Sequence, residues 1–263
     1  MDLKLKDKII MVAAGSKGLG FGIAQACARD GAIVSVASRS QANVDAAIEK
    51  LKAQGVTEVH GATLDARNRE SIEAWVENVL ATYGRIDGLV VNAGGPPAGR
   101  FDDFEDDAWY DAFELTLMSA VRMIRAVLPT MRSQQSGAII TVTSLSIKEP
   151  IDTILLSNVI RSGVVSLVKS LSKSLIKEGI RINNLVPGTM YTDRIANLNQ
   201  YRADKLGMPV EEFQAKNEAT MPAGRYGTIE EFGSAGAFLL SGAASYVNGA
   251  TLLVDGGLSK TVW

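Results

Sequence analysis

Short apolar runs alternate with stretches of helical spacing along most of this chain. The run at residues 8–14 (KIIMVAA) leads directly into a glycine, a pattern typical of a buried parallel strand. Several stretches of helical spacing also end at glycine, as at Gly31 and Gly84. The predicted strands are 8–14, 32–38, 58–64, 86–92, 137–143, 181–186 and 250–254, and the predicted helices are 18–30, 41–53, 69–83, 102–132, 153–177 and 228–240. This alternation predicts an α/β fold, a doubly wound parallel sheet with helices on both faces.

Composition narrows the class of protein without naming a function. The hydrophobic fraction of 46% and the charged fraction of 21% are those of an ordinary globular protein. A net charge of −2 favours neither nucleic acid nor an anionic membrane as a partner, and no run approaches the roughly 20 apolar residues of a membrane span. The single cysteine fits a reducing cytoplasm, where we expect the protein, and no metal site is predicted. Without an evident linker, residues 1–263 are predicted to form one domain.

The turn after the first predicted strand carries a candidate dinucleotide site. In residues 13–20 (AAGSKGLG), Gly18 and Gly20 would let the backbone approach a pyrophosphate on the following helix N-terminus. A tight turn without a ligand is the alternative. The second predicted strand ends at Ser38-Arg39, with no acid for a ribose 2′-hydroxyl. Arg39, helped by Lys17, favours a 2′-phosphate and thus NADP(H) over NAD(H), unless Arg39 is only a solvated loop charge.

Several further motifs follow the glycine loop along the chain. They are Asp65, Asn92-Ala93-Gly94, Thr143-Ser144, Asn184-Leu185-Val186-Pro187-Gly188 and Val254-Asp255-Gly256-Gly257. With the glycine loop, and in this order, they resemble the motifs of the classical short-chain dehydrogenases/reductases over nearly the whole chain. Within that family the resemblance is to the β-ketoacyl-carrier-protein reductases and their relatives.

The resemblance implies a fold, a reaction and a set of cofactor contacts. It implies a single-domain Rossmann fold with seven strands, in which residues 193–222 form the substrate-loop insertion. The implied reaction is hydride transfer between NADP(H) and a carbonyl or alcohol, such as a 3-oxoacyl group or a similar ketone. The expected cofactor-binding residues are Gly15, Ser16, Lys17, Gly18, Leu19, Gly20, Ser38, Arg39, Asp65, Ala66, Asn92, Ala93, Gly94, Arg161, Pro187, Gly188 and Thr189.

The glycine loop departs from the family pattern Thr-Gly-x-x-x-Gly-x-Gly. Ala13 stands for the threonine and Ala14 for the first glycine. We expect Gly15 to take over the tight turn, because glycine reaches positive φ without steric cost.

The family's catalytic tetrad of Asn, Ser, Tyr and Lys is also changed. Thr116 stands at the asparagine position, Ser157 at the tyrosine and Arg161 at the lysine, and only Ser144 is kept. These four are the candidate catalytic residues.

The changed tetrad lacks the tyrosine that usually donates a proton to the carbonyl oxygen as it is reduced. A serine hydroxyl is far less acidic than a phenol, whose ordinary pKa is about 10, so Ser157 would hydrogen-bond substrate or position a water. Arg161 keeps a positive charge and can hold the nicotinamide ribose, but a guanidinium does not deprotonate in a relay. Tyr191 is a candidate for the substrate pocket or, alternatively, for the missing acid.

Three functions remain open from the sequence. The first is an NADP-dependent oxidoreductase with an atypical proton donor. The second is a non-catalytic dinucleotide-binding or regulatory protein, and the third is a lyase or isomerase.

The helix predicted at 153–177 has more apolar surface than one sheet face needs. The family pairs this helix and the one before it, near 105–132, across a two-fold interface. We therefore expect a homodimer or homotetramer acting on a small-molecule substrate.

Overall fold

Seven parallel strands form one sheet in the order β3-β2-β1-β4-β5-β6-β7. The computed structural model describes residues 2–262. The strands are β1 (Ile9–Ala13), β2 (Ile33–Ser38), β3 (Val59–Thr63), β4 (Gly88–Val91), β5 (Gly137–Val142), β6 (Ile180–Pro187) and β7 (Thr251–Val254). Chain order reverses between β1 and β4, which pair directly, with Val12 opposite Val90. The predicted seven-stranded doubly wound sheet is confirmed.

Nine α-helices surround the sheet in the part of the chain that the structure describes. They are α1 (Gly18–Arg29), α2 (Gln41–Ala53), α3 (Arg69–Tyr83), α4 (Asp106–Ala112), α5 (Ser119–Gln134), α6 (Leu155–Leu175), α7 (Asp193–Leu206), α8 (Val210–Ala219) and α9 (Ile229–Leu240). The helix predicted at 102–132 is thus divided in two. A π-helical segment, Phe113–Met118, joins α4 to α5.

Helices cover both faces of the sheet, so most strand positions are buried whichever way they point. All five residues of β1 are buried, which explains its unbroken apolar sequence. One apolar layer joins the sheet to α1, α2 and α9. The other layer joins it to α3, α5 and α6.

Local signals in the sequence set the helix ends. Ser40 caps α2 by accepting a hydrogen bond from the backbone of Asn43, and Thr228 and Glu231 form a capping box on α9. Helix α3 ends at Gly84, whose φ of 70° is the left-handed conformation expected there. The polar segment 193–222 contains α7 and α8 and lies between β6 and α9.

Candidate active site

The carboxyl ends of β1 and β4 lie side by side at the reversal of strand order, where open α/β sheets bind ligands. The loop after β1 holds the glycine motif. The loop after β4 begins with Asn92, whose Nδ2 lies 3.5 Å from the carbonyl oxygen of Ala14. The structure thus brings Asn92 and the glycine motif together.

The glycine motif forms a close-fitting cradle. Gly18 has φ 55°, which a larger residue adopts only with strain. A Cβ on Gly20 would lie 2.4 Å from the carbonyl oxygen of Ala14, so this position has no room for a side chain. Thr192, which caps α7, lies within 3.6 Å of the Cβ position at Gly18. A pyrophosphate fits this arrangement of bare backbone at the α1 N-terminus.

The expectation for Gly15 is wrong. Ala14 itself adopts the left-handed conformation, with φ 47°, whereas Gly15 does not have positive φ. Gly15 is required for space instead, because a Cβ there would lie 2.7 Å from the carbonyl oxygen of Val12. Its amide donates to the carbonyl of Ala37, at 3.1 Å, which ties the loop to β2.

Both cations predicted to meet a 2′-phosphate are exposed. Arg39 directly follows β2 and Lys17 directly precedes α1. Within residues 2–262, neither side chain makes a hydrogen bond or an ion pair, so both remain available to a ligand. The Ser38 hydroxyl, by contrast, donates to the carbonyl of Ser40 at 3.4 Å.

The expected adenine side of the site lies past the end of β3. The Asp65 carboxylate is exposed and accepts a hydrogen bond from the backbone of Arg67, at 3.0 Å. Ala66 follows it in the same turn. Asp65 thus shapes the loop that the resemblance places near the adenine.

Ser144 lies just beyond β5 with its donor free. Its Oγ accepts a hydrogen bond from the backbone of Ser146, at 3.2 Å. Because the oxygen serves as acceptor there, the hydroxyl proton remains available for another oxygen.

Ser157 and Arg161 lie one turn apart on α6 and so share a face of that helix. Ser157 is buried. The Arg161 side chain reaches back to β5, where Nη1 donates to the carbonyl oxygens of Val142 at 2.9 Å and Thr143 at 3.3 Å. Arg161 is therefore held by the strand end that leads to Ser144.

Arg161 is a half-buried cation whose charge is opposed by its surroundings. Removal from water, and then the charge of Arg194, lower the pKa of its guanidinium to about 10. The group is still protonated at neutral pH. It therefore supplies a fixed positive charge beside the end of β5.

Thr116 lies in the π-helical segment and is buried. Its Oγ1 has no hydrogen-bond partner among the residues that the structure describes. Thr116, Asn92, Thr141 and Arg161 line a cavity of about 10 Å³, room for about one water molecule. Two of the four tetrad positions therefore meet at one small cavity.

The far side of the site is formed by the residues after β6. The backbone amide of Gly188 donates to the carbonyl of Val254, at 2.9 Å, and Thr189 lines a second cavity of about 140 Å³. Met190 and Met221 also line this second cavity. Tyr191 does not: its side chain is 45% exposed and its ring lies 6.0 Å from that of Tyr226. Its assignment to the substrate pocket stays a prediction.

Sequence reasoning missed Arg194. Both Arg194 and Arg161 approach Gly95, in the loop after β4. The sequence carried one signal, because a cation in the first turn of a helix is unfavourable next to the positive end of the helix dipole and is therefore unusual. The proximity of Arg194 to Arg161 could not be predicted from the sequence, because it depends on the tertiary fold.

Comparison with known proteins identifies the family. Residues 13–259 match the family model described as enoyl-(acyl carrier protein) reductase. An uncharacterised oxidoreductase of Bacillus subtilis, YvrD, is 32% identical over 266 residues, with 100% of each chain covered. These two matches show that the chain belongs to the short-chain dehydrogenase/reductase family of oxidoreductases.

Two solved structures extend the comparison. L-Sorbose reductase from Gluconobacter frateurii, complexed with NADPH and L-sorbose, is 29% identical with a TM-score of 0.95, and 100% of each chain is covered. An NADPH-bound short-chain oxidoreductase from Pseudomonas aeruginosa PAO1 containing an atypical catalytic centre is 27% identical with a TM-score of 0.88. That match covers 97% of this chain and 99% of the other.

No helix in the described range 2–262 is long and apolar enough to cross a membrane. Over the same range, no group of three or more His, Cys, Asp or Glu side chains is placed to hold a metal ion.

Proposed function

We propose that this chain transfers a hydride between NADP(H) and a ketone or the corresponding secondary alcohol, a 3-oxoacyl group or a similar ketone being the expected substrate class. The observation that carries the proposal is the close-fitting cradle beside a partnerless Arg39. Gly18 and Gly20 leave bare backbone for a pyrophosphate, and Arg39 and Lys17 are free to bind a 2′-phosphate. The NADPH-bound structures of two relatives support the same cofactor.

In this mechanism the bound cofactor supplies or accepts the hydride, and the protein positions and stabilises the reacting oxygen. Ser144 donates its free hydroxyl proton in a hydrogen bond to the substrate oxygen. Arg161, fixed to the carbonyls of Val142 and Thr143, keeps a cation close enough to stabilise negative charge on that oxygen. Nη1 is occupied by those carbonyls, so Nε and Nη2 keep N–H donors, and the nicotinamide ribose needs only some of them.

The proton on the product oxygen comes from water in this proposal. A serine hydroxyl is too weak an acid to replace a tyrosine, and the Arg161 guanidinium stays charged at neutral pH. Ser157 acts by hydrogen-bonding the water that gives up the proton. The site thus replaces a proton donor in the protein by a solvent donor and a fixed cation.

Binding experiments test the cofactor assignment first. Purified protein is titrated with NADPH and NADH, followed by nicotinamide fluorescence or calorimetry, and NADPH should bind more tightly. Arg39→Ala should weaken NADPH about tenfold or more while leaving NADH unchanged, because only the 2′-phosphate contact is lost. Arg29→Ala, at an exposed arginine on the far end of α1, is the matched control. Failure of both nucleotides to bind at millimolar concentration contradicts the proposal.

The alternative is a non-catalytic dinucleotide-binding or regulatory protein, favoured by the changes at positions 116, 157 and 161. Restoring the family pair with Ser157→Tyr and Arg161→Lys separates the two. A specialised enzyme should lose its native carbonyl reduction, whereas a non-catalytic protein should gain weak activity. NADPH binding without turnover of any ketone in a broad panel, together with such a gain, establishes the alternative.

The same proposal includes a homo-oligomer formed through the face built by α4, the π-helical segment and α6. Three large side chains are exposed on this face: Tyr110 by 68%, Phe113 by 38% and Val159 by 48%. A two-fold contact would bury them. Sedimentation velocity should give a dimer or tetramer, and Val159→Glu should shift it toward monomer.

A further inference from the structure

Two arginines converge on one point of the active site. A Cβ on Gly95 would lie 3.1 Å from Nη1 of Arg194 and 3.8 Å from Nη2 of Arg161. Gly95 has no side chain, so the space between the two guanidinium groups is left open by the loop after β4. Both groups therefore present N–H donors to the same small region.

No acid balances this pair. The carbonyl oxygens that hold Arg161 are neutral, and no carboxylate within residues 2–262 forms an ion pair with it or with Arg194. The Arg194 side chain also makes no hydrogen bond over that range, and it lies in the first turn of α7, at the positive end of the helix dipole. Asp193 is beside it in sequence but is exposed and outside ion-pair distance. Like charges placed together without a counter-charge favour the binding of an anion.

The cradle expected to hold the pyrophosphate lies at Gly18 and Gly20, at the start of α1, whereas Arg194 is in the first turn of α7. Arg161, in contrast, is bonded to the carbonyl of Thr143, the residue before Ser144. An anion between the two arginines is thus beside the residue proposed to hold the reacting oxygen.

We propose that Arg194, together with Arg161, binds a carboxylate on the substrate, which is therefore an oxo acid or the corresponding hydroxy acid. A carboxylate has two oxygens with about four acceptor sites, enough to bridge two guanidinium groups. This inference rests on the proposed function, since it places the carboxylate close to the carbonyl that is reduced. It names Arg194 as a specificity-determining residue.

Equilibrium binding tests this assignment without requiring turnover. The protein–NADP⁺ complex, which has no hydride to give to a ketone, is titrated with pyruvate, acetoacetate and levulinate, which place the carboxylate progressively further from the ketone, and with their methyl esters. At least one acid should bind about tenfold or more tightly than its ester, because the ester keeps the skeleton but loses the charge. Equal binding of acid and ester throughout the series, or no binding of any acid, overturns the inference.

Variants of α7 assign the effect to Arg194. Arg194→Met should lower acid binding about tenfold and leave ester binding and NADPH affinity unchanged. Arg202→Met, which removes an exposed arginine two turns further along the same helix, should behave like the unaltered protein.

The outcomes separate the two proposals. If Arg194→Met weakens NADPH and leaves the acid preference intact, Arg194 is a pyrophosphate ligand and the inference is wrong. If NADPH does not bind to the unaltered protein, the proposed function fails. Normal NADPH binding without a preference for acids refutes only the substrate carboxylate.

Discussion

Replacing Ala14 by glycine should stabilise this protein, although most substitutions that shorten a side chain near the core are destabilising. Ala14 has φ 47°, in the left-handed region, where a Cβ costs roughly 1–2 kcal/mol. Glycine removes that cost but adds about 0.5–1 kcal/mol of chain entropy to lose on folding. A fully buried methyl group contributes about 0.8 kcal/mol to the free energy of unfolding. The Ala14 methyl is only partly buried, so losing it costs a fraction of that amount. The net expectation for Ala14→Gly is a gain of about 0.5 kcal/mol in the free energy of unfolding.

The neighbouring alanine provides a matched control with the opposite sign. Ala13 ends β1 and is 0% exposed. Ala13→Gly therefore removes a fully buried methyl group and raises the conformational entropy of the unfolded chain, and both changes destabilise the folded state. Its expected loss is about 1.5 kcal/mol. Urea denaturation followed by circular dichroism gives both changes as shifts in midpoint at constant slope. If Ala14→Gly destabilises as much as Ala13→Gly, Ala14 is not in the left-handed conformation and the account of the loop is wrong.

Two further predictions concern buried charges. Asp87 is buried, which opposes its charge, but hydrogen bonds from Arg85, the backbone of Ile9 and Lys8 lower its pKa below the usual 3.8. Asp87→Asn should therefore lower the free energy of unfolding by about 2 kcal/mol at pH 7. In urea denaturation this difference should fade as the pH falls through 3.8 and below, because the Asp87 carboxylate is then protonated. A difference independent of pH would contradict this account. Arg181, also buried, donates to the carbonyls of Leu239 at 2.8 Å and Ser241 at 2.9 Å at the end of α9. Arg181→Met should lower the free energy of unfolding by about 2–3 kcal/mol in the same assay, and Arg181→Lys should lower it by less, because the ammonium still donates to a carbonyl. Equal losses in the two variants would show that these hydrogen bonds do not contribute to stability.

The sequence was sufficient to predict the sheet and most element ends within one or two residues. Glycines and capping residues explain this, since Gly84 and Ser40 end or begin helices through local interactions alone. The π-helical segment at Phe113–Met118 was not predicted, because its apolar spacing does not differ from that of an α-helix.

The site was less predictable than the fold. The expected role of Gly15 failed because the local contact with Val12 and the tertiary hydrogen bond to Ala37 hold Gly15 away from positive φ. Arg194 was missed because residues 95, 161 and 194 meet only when three different loops and helices are assembled at the sheet end. Spacing along the chain carries no signal of such a meeting.

The bonds from Arg161 to β5 make the altered tetrad hard to reverse. Val142 and Thr143 place their carbonyl oxygens on one guanidinium nitrogen, and a second nitrogen of the same group reaches toward Gly95. A lysine ammonium is a single point of charge and lacks the planar fork needed to serve both directions. Lysine at 161 would thus leave either the two carbonyls or the region near Gly95 without a donor, and would loosen the strand end that leads to Ser144. Restoring tyrosine at 157 and lysine at 161 would therefore also require a new partner for the carbonyls of Val142 and Thr143.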